Sequence, residues 1–202
     1  GEPINGLNAS PLDISKRTMY EVHLPPYKKA IDAGVFSVMA AHNEINGIPA
    51  HMHKELMTEV LRNQWGFNGF YVSDWMDIER IEKLHFVARD FKEATLLSVD
   101  AGMDMHMHGP HFLENVVQLV KEGKLSIFRV NEACEKILEA KFKLGLFENR
   151  YVDETKIQKV LFNNNHKQTA LNVARESITL LKNENNFLPL KNENKKIFVT
   201  GP

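Results

Sequence analysis

A single cysteine, Cys134, stands among the 202 residues, so no internal disulfide can form. This says little about compartment, because large exported enzymes often do without disulfides. No apolar run reaches ten residues, whereas a bilayer-crossing helix needs about 20, so no membrane span is expected. Surplus charge is missing too. The 25 Lys and Arg against 26 Asp and Glu leave a net charge of −1, without the basic footprint that nucleic acid or an anionic membrane surface calls for. No Gly-rich phosphate loop follows any predicted strand, which weakens a nucleotide-binding sheet. No signal peptide is visible at Gly1. The chain starts without methionine and closes on IFVTGP, a strand running into a turn, so both ends read as cut. What is present is ordinary for a globular chain: 43% hydrophobic and 25% charged residues, enough for one domain or one domain plus part of another.

The pattern along the chain is an alternation of strands and helices. ISKRTMYEV reads as a helix with Ser15 as N-cap. Pro25 and Pro26 interrupt it, and PYKKAIDAG restarts it with Gly34 as the stop. VFSVMAA (35–41) is almost wholly apolar, which predicts a strand buried on both faces. In HKELMTEVLRNQWG, the residues Leu56, Met57, Val60, Leu61 and Trp65 recur at helical spacing up to Gly66. GFYVS (69–73) predicts a second buried strand and MDMHM (103–107) a third, with helices over 76–85, 88–101, 111–122 and 128–144. Repeated strand–helix units imply parallel strands with crossover helices, as in a (β/α)8 barrel or a doubly wound sheet. After Gly145 the texture changes. ENRYVDETKIQKVLFNNNH is a polar linker with a weak helix. TALNVARESITLLKN predicts an amphipathic helix with Ala170, Ala174, Ile178 and Leu181 on one stripe, and KIFVTGP a new strand. A second α/β domain is expected to begin near residue 167.

In a barrel, chemistry sits at the C-terminal ends of the strands. That singles out AAHNE (40–44), VSDWM (72–76) and DMHMHGPH (104–111). Asp74 directly follows a predicted strand, beside Trp75. A carboxylate there can serve as nucleophile or base, and an indole can stack on a sugar face. The competing reading is that Ser73 or Asp74 caps the next helix, with Asp77 and Glu79 favouring its positive end. His106 and His108 have the alternate spacing of metal ligands at a strand end, as a metal-dependent barrel hydrolase would use. No further ligand stands at fixed spacing, however, and His51 and His53 precede a helix. A third reading is a non-catalytic carbohydrate-binding module in which Trp75 and His42 line a sugar site.

The blocks GVFSVMAAHNEINGIPAH, LMTEVLRNQWGFNGFYVSDW, AGMDMHM, ILEAKFKLGLFEN and ARESITLLKNENNFLPL resemble glycoside hydrolase family 3, best its β-glucosidase-like members, in order and spacing over essentially the whole chain. The resemblance implies an α/β architecture in three parts. Residues 1–148 would be the C-terminal portion of a (β/α)8 TIM-like barrel, 149–166 a linker, and 167–202 the truncated start of an α/β sandwich domain. It implies an exo-acting, retaining hydrolase in which the aspartate of SDW, here Asp74, attacks the anomeric carbon of a terminal β-D-glucosyl residue in an oligosaccharide or β-glycoside. A β-xyloside is the second choice. In a retaining enzyme the two carboxyl groups lie about 5–5.5 Å apart. The family's general acid/base is expected beyond Pro202, and its lysine–histidine pair, sugar-binding arginine and an early aspartate before Gly1, so the isolated piece would be inactive without the rest of the barrel and the second domain. No cofactor, metal, nucleic acid or membrane span is implied, and the location would be periplasmic or secreted. One position departs from the family: many members carry tyrosine where this chain has His42. The matching spacing implies that His42 still faces the sugar beside Trp75. Met39, Asn43 and Asp104 fall in matching motifs with structural roles. The surroundings of Asp77 and His85 do not resemble the loop that carries an aspartate–histidine acid/base in another subfamily.

Overall fold

Ser15 caps the first helical stretch as its sequence suggests, its hydroxyl accepting the Thr18 N–H at 3.0 Å. The computed structural model describes residues 3–191, 196 and 198–201, which divide into two compact units at Arg150 and Tyr151. In the first unit, helix α1 (Lys16–Thr18) runs into a π-turn, Met19–His23. Pro25 and Pro26 then open α2 (Pro25–Asp32), where missing N–H groups cost nothing.

Strand β1 (Ser37–Met39) pairs in parallel with β4 (Phe70–Val72) in the register Ser37–Phe70, Val38–Tyr71 and Met39–Val72. Between them lies a short antiparallel hairpin, β2 (Glu44–Ile45) and β3 (Ile48–Pro49). Asn46 and Gly47 turn it with φ of 52° and 79°, the pair of positive angles that an Asn-Gly turn supplies at least cost. Gly69 is needed for a different reason: a Cβ there would overlap the carbonyl oxygen of Phe36, just before β1.

Two strand expectations need correction. Residues 35–41 are not buried on both faces: Val35, Phe36 and Met39 are exposed. Among the described residues β1 has β4 as its sheet neighbour on one side only. The predicted third strand, 103–107, is reduced to a single parallel bridge between Val72 and Met105. The Asp104 carboxylate accepts the Tyr71 N–H at 2.8 Å, a donor that a longer ladder would have used.

The helices fall close to their predicted places. Glu55–Gln64 winds as a π-helix rather than an α-helix, with Met57, Val60 and Leu61 buried. Then come α3 (Asp77–Lys83), α4 (Phe91–Ala101), α5 (Phe112–Lys121) and α6 (Ile127–Lys143), with Asp90 and Ser126 capping α4 and α6. The core gathers Met57, Val60, Phe67, Tyr71, Ile78 and Ile81 under the sheet, and a smaller cluster joins Val99, Leu119 and Leu125. An Arg62–Asp104–Arg129 bridge fastens the layers: the Asp104 side chain, shut off from solvent, receives Arg62 Nη2 at 2.5 Å and Arg129 Nη2 at 2.6 Å.

In the second unit, α7 (Ile157–Val160) precedes α8 (Asn164–Ser177). The asparagine run that reads as a loop is in fact the start of α8, because the Asn163 side chain caps it by accepting the His166 N–H. The helix ends at Ser177, short of the predicted stripe, so Ile178 and Leu181 lie beyond it and are exposed. No described residue of this unit is buried, and packing is what would extend a helix past β-branched Ile178 and Thr179. The predicted strand at 196–202 includes Ile197 and Pro202, which lie outside the described residues. Its described residues are not in a strand.

Candidate active site

Strand β4 ends at Val72, and Ser73 and Asp74 follow immediately. The Ser73 hydroxyl donates to the Asp74 carbonyl and accepts the Met107 N–H at 2.8 Å, tying this strand end to the loop after Met105. Met76, with φ of 55°, turns the chain sharply into α3. A left-handed methionine is strained, and the strain sits two residues after Asp74. Neither Ser73 nor Asp74 caps α3: Met76 occupies the cap position, without a side-chain cap. Asp74 Oδ1 instead accepts the N–H of its own neighbour, Trp75, at 2.6 Å.

The second oxygen, Asp74 Oδ2, faces His42 Nε2 at 3.1 Å. His42 comes from the loop after β1, so adjacent parallel strand ends deliver both groups. Its other nitrogen, Nδ1, lies 2.6 Å from Oδ2 of buried Asp77 on the first turn of α3. Arg80, one turn further, donates to Asp77 Oδ1 at 2.6 Å and has Nη1 3.0 Å from His42 Nδ1.

Beneath them lies His51, 2% exposed. Its Nε2 accepts the Asp74 N–H at 2.9 Å, and its Nδ1 is 3.6 Å from Asp77 Oδ2. Burial lowers the His51 pKa to about 4, against the opposing pull of Asp77 and Asp74. The ring is therefore neutral near pH 7, as an accepting Nε2 requires.

Trp75 is half exposed, and one face of its indole is stacked by His108, ring centroids 3.8 Å apart and planes 6° apart. His106 turns inward instead. Its Nε2 lies 3.4 Å from Glu79 Oε2 and its ring stacks on Phe112, while burial lowers its pKa. Asp77 and His85 are not paired: His85 Nδ1 meets Glu44 Oε2 at 3.0 Å.

His42, Asp74 and Asp77 offer three potential metal-ligand atoms within 4.8 Å of one another. Their short mutual contacts already use these atoms, and the Arg80 guanidinium offsets one of the two carboxylate charges, which makes this a poor cation site. Among the described residues neither His106 nor His108 belongs to such a group of three.

A carboxylate presented at a parallel strand end beside an exposed tryptophan is the arrangement the SDW motif foreshadowed. The family model described as "Glycosyl hydrolase family 3 N terminal domain" matches residues 1–140. The chain belongs to glycosyl hydrolase family 3. Family 3 relatives include a β-xylosidase of Formosa agariphila, 38% identical over all of this chain and 30% of that protein. A periplasmic β-glucosidase of Salmonella typhimurium is 35% identical over 98% of this chain and 26% of its own length. Among solved structures, a β-glucosidase from Erythrobacter marinus superposes with a TM-score of 0.86 at 42% identity, over 94% of this chain and 25% of that one. The family 3 chain thus spans between a quarter and a third of the length of these relatives. Its first unit is a helix-rich α/β fragment of a TIM-barrel-like domain.

Sequence reasoning singled out Asp74, Trp75 and His42, and the structure brings His42 against Asp74 from two adjacent strand ends, with Trp75 next along the chain. It did not assign Asp77, Arg80 and His51 to the site. Asp77 and Arg80 carry a readable signal, an acid and a base three residues apart at a helix start. Their contact with His42, 35 residues away, has no local signature.

Proposed function

We infer that the polypeptide containing this segment is a retaining exo-β-glycosidase with Asp74 as nucleophile. The observation that carries the reading is the double anchoring of Asp74, Oδ1 on the Trp75 N–H and Oδ2 on His42 Nε2. Both contacts orient the carboxylate and leave lone pairs for attack. In the first step an Asp74 oxygen bonds to the anomeric carbon as the bond to the leaving oxygen breaks, and a general acid gives that oxygen its proton. In the second, water bonds to the same carbon, its proton passes to the now basic partner, and the bond to Asp74 breaks.

Asp77 is a poor choice for the acid although it is near, because Arg80 and His42 already occupy its oxygens. The acid/base is assigned to polypeptide outside residues 1–202, as the resemblance implies. On the same reading, residues 1–148 are the C-terminal part of the barrel, 149–166 the connection and 167–202 the start of a sandwich domain, with export to the periplasm or outside the cell. Trp75 and His42 contact the sugar, Trp75 with the indole face that His108 leaves free. No cofactor takes part.

A terminal β-glucosyl residue is the first substrate, supported by the β-glucosidase names of the solved relatives. A β-xyloside is the second, supported by the Formosa relative. The test is Asp74→Asn in the full-length polypeptide, assayed on aryl β-glucoside and aryl β-xyloside. Turnover should fall by several powers of ten, about 6 kcal/mol or more. Turnover within tenfold of the parent on either substrate overturns the assignment.

A further inference from the structure

We propose that His42 is a positioning residue for the nucleophile: backed by Asp77 and Arg80, it holds Asp74 with an Nε2–H donor and eases departure of the Asp74 carboxylate when the glycosyl-enzyme breaks down. The proposal rests on the reading of Asp74 as nucleophile.

The argument is one of hydrogen positions. Nδ1 of His42 has two neighbours, Asp77 Oδ2 at 2.6 Å and Arg80 Nη1 at 3.0 Å. If Nδ1 accepts from Arg80, a neutral ring carries its hydrogen on Nε2. If Nδ1 donates to Asp77, the shorter contact, a neutral ring would turn the lone pair of Nε2 towards the ionised Asp74 oxygen 3.1 Å away. That repulsion is relieved only when Nε2 is protonated as well. Either arrangement aims an N–H at Asp74 Oδ2. The second makes the ring a cation between two carboxylates, and with Arg80 the four groups sum to zero charge.

Among the described residues, the other neighbours of Asp74 do not supply this donor. Neutral His51 accepts from the Asp74 backbone rather than donating to its side chain. Trp75 N–H serves Oδ1 alone. Asp77 is buried and held by Arg80 in the same α3 turn, so the orienting carboxylate is itself fixed. The layout is a carboxylate–histidine–carboxylate relay in geometry, with the histidine acting on the nucleophile in addition to its contact with the sugar.

The consequence differs between the two steps. In the first, Asp74 loses charge, so a donor on Oδ2 positions the carboxylate but also weakens its attack, and the two effects oppose. In the second, Asp74 regains charge as it leaves, and a charge-assisted donor stabilises it without opposition. Removal of His42 should therefore slow the second step more than the first.

The experiment uses the full-length polypeptide and an activated 2-deoxy-2-fluoroglucoside, which forms and then slowly releases the covalent adduct. Trapping rate and reactivation rate are read on parent, His42→Phe, His42→Gln and Asp77→Asn, with the labelled peptide identified by mass spectrometry. In His42→Phe, reactivation should slow at least tenfold more than trapping. His42→Gln, whose amide can donate, should recover much of that loss. Asp77→Asn should fall between, since it removes the negative partner of Nδ1 but leaves a ring able to keep its Nε2–H. Reactivation is read only on protein that has reacted and is therefore folded, so a folding defect does not mimic the effect. Label on Asp74 with equal changes in both rates, or with no benefit of Gln over Phe, overturns this proposal and leaves the nucleophile assignment standing. Label on another residue in the parent overturns both.

Discussion

Asp104→Asn should be the most destabilising of the conservative changes in the first unit. The carboxylate is fully buried and collects three donors: Arg62 Nη2 at 2.5 Å, Arg129 Nη2 at 2.6 Å and the Tyr71 N–H at 2.8 Å. An asparagine of the same shape offers one accepting oxygen. Its amide nitrogen is itself a donor and must face at least one of these groups. Two guanidinium groups with side chains only 12% and 13% exposed then lose their counter-charge. Breaking a buried ion pair on one side costs about 3–5 kcal/mol, and the residual exposure of both arginines argues for the lower end, about 3 kcal/mol. In a unit of this size each kcal/mol shifts the melting temperature by about 2–4 °C, so a fall of roughly 6–12 °C follows. The assay is thermal unfolding of the parent, Asp104→Asn, Arg62→Met and the double variant. The double variant should be less unstable than the sum of the singles, with a coupling above about 1 kcal/mol. Strict additivity, or a fall under about 2 °C for Asp104→Asn, would refute the view that this bridge clamps the strand end to the helices.

Four further outcomes are expected. His51 has its pKa lowered by burial from 6.5 to about 4, so the unfolded chain takes up a proton at higher pH than the native one. Stability is then full above about pH 6.5, falls as pH drops towards 4 and levels below it, a loss of about 3 kcal/mol from this residue. His53 and His106 are lowered in the same direction, so denaturant titrations at pH 7 and pH 5 should show His51→Gln removing part of the dependence, and an unchanged slope would contradict it. Gly69→Ala forces a Cβ against the Phe36 carbonyl and should lower the urea midpoint by the equivalent of about 1–3 kcal/mol, whereas Gly66→Ala meets no neighbour and loses only through its positive φ. EDTA should leave turnover of the full-length polypeptide unchanged, and elemental analysis should find no stoichiometric zinc or iron; one equivalent needed for activity would recast His42, Asp74 and Asp77 as ligands. The 202-residue chain alone should hydrolyse no aryl β-glucoside, because the acid/base is assigned to polypeptide outside it.

Much of the frame was legible because it rests on local patterns. Ser15, the prolines at 25 and 26, and the apolar spacing of Met57, Val60 and Leu61 act over a turn or two, and the elements they mark are present. The Asn46–Gly47 hairpin carried an equally local signal that the apolar runs on either side overshadowed. Other features depend on contacts across the chain. The third strand shrank to one bridge because the Asp104 side chain took a ladder donor. Val35 and Phe36 look like core residues in sequence, yet burial depends on neighbours that periodicity does not reveal. At the site, SDW singled out Asp74 and Trp75, and the block from 34 to 51 singled out His42. The pairing of His42 with Asp77 and Arg80, and the reversal by which His51 accepts from Asp74, depend on separations of 23 to 38 residues. No local rule reaches across them.

The most direct test of the account is the site of covalent capture. The full-length polypeptide should be inactivated by an activated 2-deoxy-2-fluoro-β-glucoside, with one sugar bound per chain. Peptide mass spectrometry should place that sugar on Asp74, within GFYVSDWMD. A sugar on any other carboxylate, or turnover that leaves no trapped adduct and inverts the anomeric centre, would contradict the assignment of Asp74 as the nucleophile.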